Sequence, residues 1–140
     1  MFRARKIAIK WRELLKSEGN RRATSFRNAF SGLYRLATTE RHFQIHLFAA
    51  ACAVILAGLL GFNRVEWAIL VVTIALVLVA EGVNSAIERA IDTTTPGFHP
   101  VAKAAKDIGA AAVLIAAIAS VIVAILLYVP KLWALFISRH

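Results

Sequence analysis

Apolar residues fall into three long runs separated by short polar links, and each run approaches the roughly 20 residues that a membrane span needs. The first extends from about Ile45 to Phe62, with Phe43 and Gln44 able to lengthen it on its leading side. The second extends from about Trp67 to Ile91, and the third from Ile108 to Tyr128. The third is rich in Ala, Ile and Val and meets no charge before Lys131. The second is different. Only Trp67–Ala80 is free of charge, and Glu81 and Glu88 then follow while the helical pattern continues.

Upstream the period is the same but the composition is not. Ile7, Trp11, Leu14 and Leu15 recur at helical spacing with Arg and Lys on the other face. Gly19 and Asn20 mark a stop, and Phe26, Phe30, Leu33 and Tyr34 then repeat the spacing. Basic amphipathic helices of this kind lie in the interface of an anionic leaflet, although the second could equally pack against the chain's own spans. The expected fold is all-α integral membrane: amphipathic surface helices over 1–41, then a three-span domain over 42–140.

Composition narrows the class. The chain of 140 residues is 59% hydrophobic and only 18% charged, with a mean hydropathy of +0.67. Residues 1–41 carry 11 of the 17 Lys and Arg and 3 of the 8 Asp and Glu, so +8 of the formal +9 sits there. Disorder, a disulfide scaffold and a multidomain soluble enzyme are excluded. The single cysteine, Cys52, is expected to be buried as a small apolar residue. No apolar stretch and small-residue cleavage site follow the basic start, so no cleaved signal peptide is expected. Charge also sets an orientation. The basic segment and the link Asp92–Asp107 should be cytoplasmic, with Asn63–Glu66 and Lys131–His140 outside. Trp67, Tyr128 and Trp133 then sit near the outer interface, and a nucleic-acid partner is not expected.

The candidate chemistry lies where polarity enters the second run. A charged group at the centre of a span costs about 2.5–3.5 kcal/mol on insertion scales, so each needs a reason. Glu81, Asn84, Ser85, Glu88 and Asp92 stand at offsets 0, +3, +4, +7 and +11, which is one stripe of a helix. Ala80, Val83, Ile87 and Ile91 keep the rest apolar. The alternative is a helix leaving the membrane early, with Glu88 and Asp92 in water. Carboxylates held close cannot all stay ionised without a cation, and oxygen-only ligands suit Mg²⁺. Glu40 could complete such a site or be a helix-end charge near Arg41. Past Pro100, Lys103 and Asp107 could pair across one turn, or Lys106 could reach a phosphate with Asp107 orienting it. His42, His46, His99 and His140 lack metal-ligand spacing, and there is no Walker loop, kinase glycine loop or nucleophilic triad. These features fit phosphoryl transfer between a soluble nucleotide and a lipid.

Two longer stretches carry a resemblance. The run Glu81–Asp92 (EGVNSAIERAID), with His99–Asp107 (HPVAKAAKD) and Glu40–His46 (ERHFQIH), closely resembles the small prokaryotic diacylglycerol kinase family, from about Ser25 to Leu132. Thr39–Gln44 and His99–Pro100 are most similar to its Gram-positive branch, whose members are undecaprenol kinases. The resemblance implies a homotrimer in the bacterial cell membrane, ATP as co-substrate and Mg²⁺ as cofactor. By position, Glu81 would be the general base and bind the lipid hydroxyl with Ser85, and Asn84 would organise the site. Glu40 and Glu88 would hold Mg²⁺ and nucleotide, and Lys106 and Asp107 would contact ATP. Gly97, Phe98 and His99 would line the nucleotide, with Arg21 near the phosphates. The expected activity is phosphorylation of undecaprenol, the alternatives being diacylglycerol as substrate or a non-catalytic membrane adaptor. The start of the chain is longer and more basic than the family pattern.

Overall fold

The computed structural model describes residues 24–95 and 97–137. The chain divides into two compact units, Met1–Arg35 and Leu36–His140. The first described helix, α1, runs over 24–39 and exposes Phe26, Phe30, Leu33 and Tyr34. The earlier amphipathic segment expected around Ile7–Leu15 lies outside the described residues. Helices α2 (Arg41–Leu59), α3 (Arg64–Thr94) and α4 (Pro100–Ile137) follow. All three are long and apolar enough to cross a membrane.

Each boundary has a local cause. Leu60 ends α2, and Gly61 takes a positive φ of 63° that favours glycine. The Gly61 N–H donates to the Gly58 carbonyl at 3.3 Å and the Phe62 N–H to the Ala57 carbonyl at 3.2 Å, the two bonds of a Schellman stop. Leu60–Phe62, expected to finish the first span, therefore form the turn after it. Asn63 then opens α3 with a reciprocal cap. Its side chain accepts from the Val65 and Glu66 N–H groups, and the Glu66 carboxylate accepts from the Asn63 N–H at 2.6 Å. Arg64–Glu66, expected in the link, are thus the first turn of the helix.

Helix α4 outruns the expected span at both ends. Pro100 is preset for a first turn, and the Ala-rich stretch behind it favours helix, so Lys103, Lys106 and Asp107 stand on helical rungs. At the far end the helix continues through Pro130 to Ile137. With 38 residues it is about 57 Å long, against a hydrocarbon core of about 30 Å.

Helix α3 is the middle element, packing on α2 on one side and α4 on the other. Ala57, Phe62, Leu70 and Tyr128 form a buried cluster where the three helices meet. The Tyr128 hydroxyl donates to the Ala53 carbonyl at 2.7 Å, tying α4 to α2. Lys131 pairs with Glu66 at 2.9 Å and lies 5.3 Å from the centre of the Phe62 ring. Most other apolar side chains point outward. Only 6% of the most apolar window of α4 is buried, as befits helices whose solvent is lipid or another apolar surface. Cys52 is one of the exposed positions, contrary to expectation. The face of α2 that packs inward carries Ala53 and Ala57, and Cys52 lies off it.

Replacing Tyr128 with Phe removes one cross-helix bond and leaves the Ala53 carbonyl in its own helix ladder. Unfolding in detergent should show a loss of about 1 kcal/mol with phosphoryl transfer unchanged.

Candidate active site

The polar stripe on α3 runs from the packed interior towards one end of the bundle. Glu81, Asn84 and Ser85 are buried, at 4%, 7% and 3% exposure. Glu88 is half-buried and Asp92 is exposed. Glu81 and Glu88 stand about 10 Å apart along the axis. The stripe is therefore enclosed at its inner end and open at its outer end.

Small residues stand where α3 meets its neighbours, one on α4 and one on α3 itself. Gly109, buried on α4, lies against the Asn84 side chain, and a Cβ there would collide with Asn84 Oδ1. Gly82 would bring a Cβ to 3.3 Å from Leu36. Small residues let helix backbones approach closely in lipid, and here the closeness seals the amide against α4.

Asn84 Nδ2 donates to Glu88 Oε1 at 2.9 Å, which fixes one oxygen of that carboxylate. Asn84 Oδ1 is buried with no hydrogen-bond partner. An unpaired buried oxygen costs about 1–3 kcal/mol, and such an atom asks for a donor or a cation. Glu40 lies at the N-cap of α2 yet gives its own helix no side-chain cap bond. Its carboxylate turns instead to Arg89 on α3, whose guanidinium reaches it through Nε and Nη2 and also donates to Thr39 Oγ1 at 3.0 Å. Lys106 of α4 pairs with Asp92 of α3 at 2.5 Å, while Lys103 pairs with Asp107 within α4 at 2.6 Å.

Four of the residues expected at the site thus come together on α3: Glu81, Asn84, Ser85 and Glu88. Glu40 and Lys106 are brought to the same helix through Arg89 and Asp92. Asp107 is exposed and engaged by Lys103. Gly97, Phe98 and His99 form the exposed link before α4, with Gly97 at a φ of 87°, and Phe98 is 82% exposed. Pro96 and Arg21 lie outside the described residues. Two partners were not evident from the sequence pattern, Arg89 and Gly109. The only signals for them are a lone cation in an acidic seam and a small residue early in the third run.

Among the described residues no group of three or more His, Cys, Asp or Glu converges on one point. A metal held by protein alone is not what this geometry offers. Mg²⁺ asks for less, since one or two carboxylates plus substrate phosphates suffice. Among the described residues Glu40 and Glu88 each leave one carboxylate oxygen without a hydrogen bond, and oxygen donors of that kind suit the ion.

A profile of the prokaryotic diacylglycerol kinases matches residues 27–128. The chain belongs to that family. It is 43% identical to the undecaprenol kinase of Bacillus subtilis over 118 residues, 84% of this chain and 95% of that protein. It is 40% identical to a diacylglycerol kinase of Synechocystis over 114 residues, 81% of this chain and 65% of that protein. With the Escherichia coli diacylglycerol kinase it shares 33% over 108 residues, 77% of this chain and 85% of that protein. The kinase is thus a lipid kinase of multi-pass membrane type, and every candidate residue except Arg21 falls within the family match.

Gly109 gives a test of the packed amide. Gly109→Ala should push the Asn84 side chain off Glu88 and cut turnover by about 10²-fold, the usual scale for a misplacement of about 1 Å. Gly58→Ala, in open space on α2, should leave turnover unchanged. Kinetic comparison of the two purified variants checks this.

Proposed function

We propose that the kinase transfers the γ-phosphoryl group of ATP to the hydroxyl of undecaprenol, with Mg²⁺ as cofactor. The observation that carries the reading is the buried Glu81–Asn84–Ser85 stripe leading outward to Glu88. The choice of lipid rests on the 43% identity to an undecaprenol kinase across nearly its full length.

The chemistry follows from the residues. Glu81, with Ser85, receives the lipid hydroxyl, and its carboxylate takes the proton as the oxygen attacks the γ-phosphorus. The bond from that phosphorus to the β–γ bridging oxygen breaks, releasing ADP and the lipid phosphate. Burial of Glu81 keeps water from competing for the phosphoryl group. Asn84 holds Glu88 by one oxygen, so the carboxylate is set before nucleotide arrives. Glu40 and Glu88 would hold Mg²⁺, which when bound neutralises phosphate charge, the main demand of this reaction. Lys106, half-exposed and paired with Asp92, would meet a phosphate in this reading, with Asp107 also contacting ATP. Gly97, Phe98 and His99 would line the nucleotide, and Arg21, outside the described residues, is kept as the phosphate contact that the family resemblance implies.

The same reading gives the setting. Residues 1–41 form the basic interfacial part and 42–140 the membrane domain. The N-terminus is cytoplasmic and the C-terminus outside in a bacterial cell membrane. Copies assemble as a homotrimer whose neighbouring subunits complete each site. The broad apolar flanks of α2–α4 supply surface for such contacts.

Purified protein in micelles with Mg²⁺ and ATP, offered undecaprenol and diacylglycerol separately, tests both substrate and mechanism. Faster transfer to undecaprenol is expected. Glu81→Gln should lose about 10²–10⁴-fold in turnover, the usual share of a general base. Preference for diacylglycerol would overturn the substrate. Equal turnover in Glu81→Gln would overturn the base, and no transfer to either lipid from folded protein would favour the adaptor.

A further inference from the structure

Resting on the reading above, we infer that Arg89 is a positioning residue that holds Glu40 from α3 so that Glu40 and Glu88 present one oxygen each to the metal–nucleotide complex.

The geometry is one-sided in a telling way. Both guanidinium contacts to Glu40 fall on Oε1, and no hydrogen bond reaches Oε2 among the described residues. Glu88 is held in the same manner, its Oε1 bonded by Asn84 while no hydrogen bond from the described residues reaches its Oε2. Each carboxylate is gripped through one oxygen by a donor on α3. Arg89, the residue after Glu88, is thus the one that links α3 to the start of α2.

Arg89 is not simply a cation at a helix end. The carbonyls of Arg89 and Ala90 in the last turns of α3 accept from the Thr93 and Thr94 hydroxyls, at 2.8–3.0 Å. The guanidinium is committed across the bundle instead, to Glu40 and to Thr39 Oγ1, contacts that span 49 and 50 residues of chain. Glu40 gives up capping its own helix to accept it. A planar fork can hold two acceptors at once, which a lysine cannot reproduce. The positive charge also offsets one of two carboxylates that would otherwise face polyphosphate.

The test uses full-length protein in micelles, with binding of Mn²⁺ plus a non-hydrolysable ATP analogue followed by the Mn²⁺ paramagnetic resonance signal. Arg89→Ala should weaken that binding by about 10- to 100-fold, the scale for partners of metal ligands. The KM for Mg²⁺–ATP should rise by the same factor with kcat at saturation little changed. Arg89→Lys should fall between, and it carries the test if the alanine variant does not fold. Binding that is unchanged or tighter in these variants, or a loss confined to thermal stability, overturns the assignment. Phosphate transfer by the unmodified protein is measured alongside. Absence of both transfer and Mn²⁺–nucleotide binding there would sink the kinase reading itself, whereas normal transfer with unaltered variant binding sinks only the role of Arg89.

Discussion

A carboxylate resting against hydrocarbon is costly, and α3 carries three acids on one stripe. That constraint sets the position of the other helices. α3 must be the middle element, because only flanks on both sides can enclose Glu81, Asn84 and Ser85. Gly109 must be small because α4 lies against the Asn84 amide. The acids nearer the end of the helix are less enclosed, and there the structure places side-chain partners instead: Asn84 for Glu88, and Lys106 for Asp92.

The opposite end of the bundle solves a different problem with ordinary means. Gly61 stops α2, Asn63 and Glu66 start α3, and Tyr128 and Lys131 pin α4 to the turn between them. This end holds the spacing of the helices, while the acidic end is left with an unsatisfied oxygen and two half-engaged carboxylates. Stability and chemistry are thus separated along the bundle axis.

The stripe Glu81–Asp92 was legible in the sequence because a helix has a fixed period, and offsets of +3, +4, +7 and +11 cannot be scattered around it. The three apolar helices were legible for the same reason that hydropathy works at all: span length is set by the bilayer. Helix ends were less so. Hydropathy marks where lipid is needed, whereas Pro100 and the Lys103–Asp107 pair extend α4 where no lipid is needed. Cys52 was misplaced because burial habits of soluble cores do not carry over when lipid replaces water. The Arg89–Glu40 pair joins residues 49 apart, and no periodicity connects a charge on one helix to the cap of another. Gly109 was equally silent, since a glycine shows its purpose only once the facing side chain is known.

The central claim is that the buried amide and its carboxylates await a metal–nucleotide complex. Amide-labelled protein in bicelles, titrated with Mn²⁺ and a non-hydrolysable ATP analogue, reports this through side-chain signals of asparagine. Asn84 lies in the stripe and Asn63 caps α3 at the other end, so one chain contains both probe and control. The account predicts that Mn²⁺ broadens the Asn84 signal away while that of Asn63 persists. An Asn84 signal that survives saturating Mn²⁺–nucleotide, or one that fades no sooner than Asn63, would contradict it.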